Sequence, residues 1–145
     1  MSEQRTIYCN LGKKDIADVM SQRFDDLSFE GGPEDWSSVT AHVDGGSMTL
    51  NALTFQHTND EYSNLHFKTC MFIWDIDSLE EDEKERLSEA FGHKKLIVGV
   101  VVEPDFEADE RFMDAVVDIA KQLDGLIFTG TSILDSAGST IANFS

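Results

Sequence analysis

Residues 96–102 read LIVGVVV, an unbroken run of apolar residues and glycine. A strand with one wet face alternates apolar and polar side chains, and this run does not. β-branched residues dominate it, and they suit a pleated backbone. The run therefore predicts a central strand buried on both faces. Pro104 stops that strand, and carboxylates crowd around the stop at Glu103, Asp105, Glu107, Asp109 and Glu110.

Other segments give the strand its neighbours. TIYCNL at 6–11 alternates as a first strand. In KKDIADVMSQRFDDL, Ile16, Val19, Met20 and Phe24 recur at helical spacing and give one apolar stripe. GGP at 31–33 breaks the chain. SSVTAHV and SMTLNALTF flank Asp44-Gly45-Gly46, a strong hairpin signal. QHTNDEYSN at 56–64 reads as a polar loop. LHFKTCMFIWDI at 65–76 is apolar almost all round, which suits a buried helix or a buried strand. Asn64, a candidate cap, favours the helix. Ser78 and Glu81 match a capping box ahead of LEEDEKERLSEAF, and Gly92 ends that helix.

A further helix over about 108–123 buries Phe112, Met113, Val116, Ile119, Ala120 and Leu123. It ends at Asp124-Gly125, and LIFTG follows as a strand. Strand, helix and strand suit a βαβ unit, with a right-handed crossover if the strands are parallel. A last hairpin turns around Ser136-Ala137-Gly138. The expected fold class is α+β, one domain over residues 1–145. Its sheet is mixed or largely antiparallel, flanked by three to four helices, with a C-terminal βαβ-like unit.

The 145 residues carry 28 Asp and Glu against 11 Lys and Arg, for a net charge of -17. Such a chain repels nucleic-acid phosphates. It attracts basic surfaces over a Debye length of about 8–10 Å. The N-terminal MSEQRTIYCN lacks the basic and apolar regions of a signal peptide, and no apolar run approaches a membrane span. The expected location is the cytoplasm. There, Cys9 and Cys70, which have no CxxC spacing, are expected as buried thiols.

The carboxylates after LIVGVVV invite two readings. Paired carboxylates at the carboxyl end of a central strand can activate water or hold Mg²⁺. Alternatively Asp105 caps a helix, and Glu107, Asp109 and Glu110 favour its dipole by about 0.3–1 kcal/mol each. The second reading accounts for the residue order without a ligand. Only Glu103, at the strand's own end, keeps a claim to a site. DIDSLEEDEKERLSE at 75–89 is a second acidic block, with Lys84 and Arg86 its only cations. It reads as a solvated helix face or, if it merges with the first block, as one broad negative surface. Trp74, Phe91 and Tyr62 are candidate anchors beside it.

His42, His57, His66 and His93 form no metal signature, and no cofactor-binding motif occurs. GTSILDSAGST at 130–140 contains neither a GxSxG elbow nor a P-loop, so its Ser and Asp read as turn formers. No catalytic residue is assigned.

VVVEPDFEADERFMDAVVDIAKQLDGLIF resembles a segment of small uncharacterised bacterial α+β domains. The likeness lies in the apolar strand, Glu103-Pro104, Phe106, the amphipathic helix and Leu123-Asp124-Gly125-Leu126-Ile127-Phe128. It implies an α+β fold and a bacterial or phage origin, and it brings no active site. By type, a small acidic protein of this kind is also similar to the immunity proteins paired with bacterial toxins. The functional expectation is a protein-binding inhibitor of that type. It would occlude the basic active site of a cognate toxin or effector. The expected partner-binding residues are Trp74, Asp75, Asp77, Glu80, Glu81, Asp82, Glu83, Glu103, Asp105 and Glu107. The alternatives are a small carboxylate-dependent enzyme, with or without Mg²⁺, and an adaptor or regulatory domain without a toxin partner.

Overall fold

The computed structural model describes residues 3–10, 12–32, 35–54, 67, 71, 73–75, 79–92, 96–129 and 132–143, and of residues 53, 54, 91, 92, 142 and 143 the backbone only. The strands are β1 (Glu3–Cys9), β2 (Leu27–Glu30), β3 (Ser38–Val43), β4 (Gly46–Thr54), β5 (Leu96–Glu103), β6 (Leu126–Phe128), β7 (Ser132–Leu134) and β8 (Thr140–Asn143). Among the described residues the helices with defined bounds are α1 (Lys13–Arg23), α2 (Glu81–Gly92) and α3 (Glu110–Gln122). All eight strands join one sheet in the order β2-β3-β4-β5-β1-β6-β7-β8. Every ladder in it is antiparallel. The fold is α+β.

LIVGVVV lies inside this sheet, with β4 on one side and β1 on the other. Leu96, Val98, Val100 and Val102 point into the main core, where α1 and α3 cover the first face with Ile16, Val19, Met20, Phe112, Val116 and Ile119. Ile97 points to the second face, into a smaller cluster with Tyr8, Ile73 and Ile133. Leu79 and Leu87 close that cluster from the α2 side. Burial on the second face stops there. Gly99 and Val101 are half-buried, and their cross-strand neighbours Asn51 and Thr49 are polar. Thr49 meets Thr40 of β3, hydroxyl to hydroxyl, at 3.3 Å. This half of the sheet presents a polar face, as antiparallel sheets can.

The C-terminal unit differs from a plain βαβ. β5 and β6 run in the same direction but are not neighbours. β1 lies between them, antiparallel to both. Helix α3 crosses over β1 to join them. The hairpins at Asp44-Gly45-Gly46 and Ser136-Ala137-Gly138 form as the turn residues predict. Gly45 takes a φ of 81°, and a Cβ on Gly46 would run into the Glu103 carbonyl. LSFE adds the edge strand β2, which has no counterpart in the sequence reading.

The cap of α3 is a correction. Asp105 begins a short 3₁₀ turn at Phe106–Ala108 and makes no side-chain cap bond. Asp109 caps the α-helix, its carboxylate accepting from the Arg111 backbone N–H at 3.0 Å. The inserted turn brings Phe106 into the core. Its backbone N–H donates to Glu3 at 3.2 Å, and the Arg5 guanidinium lies 4.5 Å over its ring. At the other end Asp124 takes a φ of 51°, and the Gly125 N–H donates to the Ala120 carbonyl at 2.7 Å, a Schellman closure.

In 65–76 the described residues Phe67, Met71, Ile73 and Trp74 are helical, as Asn64 suggested, although Asn64 itself lies outside the described residues. So do Ser78 of the proposed capping box and the polar loop at 56–64. Cys9 is buried, and Cys70 lies outside the description. Trp36 is fully buried and donates from its indole N–H to the Lys13 carbonyl at 2.8 Å.

Candidate partner-binding site

Helix α2 is amphipathic in an uneven way. Leu87 packs on the sheet, while Glu80, Glu81, Asp82, Glu83, Glu85 and Glu89 are exposed. The first-turn acids Glu81, Asp82 and Glu83 suit the helix dipole, but the last turn holds no cation. Lys84 and Arg86 fall four residues after Glu80 and Asp82, the favourable order for helical ion pairing. Two cations leave most of this negative surface uncompensated. Glu83, Arg86 and Leu87 face Ile141 of β8 across an open cavity of about 280 Å³.

A second element meets the start of α2. Ile73 is fully buried against the sheet, yet its helical companions Phe67, Met71 and Trp74 are 64%, 52% and 44% exposed. Lys84 fastens α2 to this segment: its Nζ donates to the Trp74 carbonyl at 2.7 Å and lies 5.9 Å from the centre of the Trp74 ring. Asp75 is exposed, and its backbone N–H donates to the Met71 carbonyl at 3.1 Å. Large apolar groups left in water beside a charged rim mark an interaction surface more often than a packing accident. Phe67 and Met71 were not among the expected site residues. Their signal was the four-and-three spacing with Trp74, which in an all-apolar stretch does not say which side stays uncovered.

The structure brings Trp74, Asp75, Glu80, Glu81, Asp82 and Glu83 together. Asp77, Tyr62 and the Phe91 side chain lie outside the described residues. Glu103, Asp105 and Glu107 are placed elsewhere. The turn holding Asp105 and Glu107 packs its Phe106 into the core of the first face, whereas α2 covers the second. Glu103 alternates onto the second face, but at about 3.3 Å per residue it stands roughly 20 Å along β5 from Ile97. Glu103 and Glu107 are exposed and Asp105 is half-buried. None of the three lines the cavity beside α2.

The chain matches no known family model, and no characterised protein or solved structure is detectably similar to it. Among the described residues no three His, Cys, Asp or Glu side chains are grouped to hold a metal ion. His42 is exposed on β3, while His57, His66 and His93 lie outside the description. No helix among the described residues is long and apolar enough to cross a membrane.

One ion pair on the first face has a structural part. Asp109 grips Arg111 through contacts of 3.0, 3.2 and 2.6 Å. The Arg111 hydrogen bond holds the Asp109 carboxyl below its ordinary range, and the same bond raises Arg111. Arg111 also covers the Phe24 ring at 5.0 Å and donates to the Arg23 carbonyl at 3.1 Å. These contacts join α3 to the end of α1.

Proposed function

We propose that this chain is a protein-binding inhibitor of the immunity type, which captures a basic toxin or effector domain and occludes its active site. One observation carries the reading: the outward face of α2 is a run of exposed carboxylates held beside an exposed apolar stripe. The carboxylates would steer a basic cleft into encounter, since complementary charge mainly raises on-rate and selectivity. Trp74 and its neighbours would supply the apolar centre of the contact, where binding energy concentrates. The net charge of -17 extends the attraction beyond the contact itself. Glu103, Asp105 and Glu107 take a lesser part in this reading, because they sit away from α2.

The test begins with extract from the native host passed over the immobilised chain and over a Glu81→Lys/Asp82→Lys/Glu83→Lys variant. A basic protein retained by the wild type is then expressed alone and with this chain. The expected result is retention by the wild type, loss from the variant, and suppression of the partner's activity or toxicity by the wild type only. Equal retention on both chains, or a partner whose activity is untouched, contradicts the proposal.

A further inference from the structure

Phe67, Met71 and Trp74 are spaced by four and three residues, and all three are helical. That spacing places them on one side of a helix. Ile73, one step away, is fully buried. Ile73 is thus seated on the sheet, while Phe67, Met71 and Trp74 leave an apolar ridge in water. Ridges of this kind pack against another helix at an axis separation of about 8–10 Å.

We infer that this ridge is the seat of a basic amphipathic helix contributed by the partner. The inference rests on reading the α2 carboxylates as a docking surface, and it adds what kind of element docks. Charge complementarity selects the occupant. Asp75 borders the ridge, and the Lys84–Trp74 hydrogen bond places the first turn of α2, with Glu81, Asp82 and Glu83, beside it. A helix lying on the ridge would therefore meet carboxylates along its flank, and Lys or Arg there would answer them. A second copy of this chain would set one net charge of -17 against another, so self-association is disfavoured. Anionic lipid is disfavoured for the same reason. Met71 adapts to varied apolar surfaces, and Trp74 offers a large rigid ring.

The chain carries its own reporter. Of its two tryptophans, Trp36 is fully buried and Trp74 is 44% exposed. Acrylamide quenching therefore reads Trp74. The probe is a leucine–lysine peptide of about five helical turns with all leucines on one face. Its controls are a scrambled peptide of identical composition and an amphipathic leucine–glutamate peptide.

The first peptide is expected to shield Trp74, to shift its emission to the blue, and to bind about tenfold or more tighter than the scrambled one. Phe67→Ala and Met71→Ala are each expected to weaken it several-fold with unchanged thermal melting. Equal binding of the scrambled peptide overturns the helix seat while leaving the acidic surface standing. Shielding by the leucine–glutamate peptide, or no shielding by any peptide, overturns the inference. If Phe67→Ala weakens binding but Glu81→Lys/Asp82→Lys/Glu83→Lys does not, the failure belongs to the acidic-surface reading.

Discussion

Lys84 donates its ammonium to the Trp74 carbonyl at 2.7 Å, and so ties the acidic helix to the exposed apolar ridge. The bond is exposed, so its net contribution to folding is small, about 1 kcal/mol or less. Its effect on the surface is larger, because it sets where the ridge stands relative to the α2 acids. Lys84→Ala is expected to change the melting temperature little and to increase acrylamide quenching of Trp74. Unchanged quenching would mean that this bond does not hold the ridge.

Burial separates two phenylalanines of the same chemistry. Phe112 is fully buried in the main core, while Phe67 is 64% exposed. Phe112→Ala is expected to destabilise by about 3–5 kcal/mol in urea unfolding, through lost transfer energy and the cavity left behind. Phe67→Ala is expected to stay within about 0.5 kcal/mol of the wild type. Similar costs for both would show that the ridge is covered in the folded chain.

Arg23 and Asp118 join α1 to α3 at 2.6 Å, with side-chain exposures of 28% and 30%. The pair sits at the margin of the core, where screening is partial. A double-mutant cycle with Arg23→Met and Asp118→Asn is expected to give a coupling of about 1 kcal/mol that falls as salt is added. A coupling near zero at low salt would leave α1 held to α3 by apolar packing and the Arg111 contacts to Phe24 and the Arg23 carbonyl.

Asp109 and Arg111 predict a pH signature. The Arg111 hydrogen bond lowers the folded Asp109 pKa from its ordinary 3.8. A depressed carboxyl contributes stability that is complete above the unfolded value and is lost as pH falls through the folded value. Asp109→Asn keeps a competent cap and removes the charge. The stability gap between wild type and Asp109→Asn is therefore expected to hold near neutral pH and to close as pH drops below 3.8. A gap that persists in strong acid would assign the effect to cap geometry rather than charge.

Much of the architecture was legible because local pattern and tertiary role agree. LIVGVVV lacks alternation and β5 is interior to the sheet, although only its first face, and not both as expected, is buried along the whole strand. Ile16, Val19 and Met20 mark the buried side of α1, and Asp44-Gly45 makes its turn. Four features were not legible, each for a physical reason. LSFE at β2 is too short to display a period. Asp105 and Asp109 are chemically equal caps, and the burial of Phe106 decides between them. The ridge of Phe67, Met71 and Trp74 lies in a stretch apolar nearly all round, so its exposed side depends on where α2 and the sheet end. The placement of β1 between β5 and β6 likewise comes from pairings such as Arg5 with Val100, which join distant parts of the chain.

We propose that the outward carboxylates of α2 capture a basic partner. The direct measurement is the dissociation constant of a captured basic protein for the wild type and for Glu81→Lys/Asp82→Lys/Glu83→Lys, each over a range of salt. Binding by the variant is expected to be at least about tenfold weaker, or roughly 1.4 kcal/mol, with a flatter salt dependence. An unchanged dissociation constant and an unchanged salt slope would contradict it.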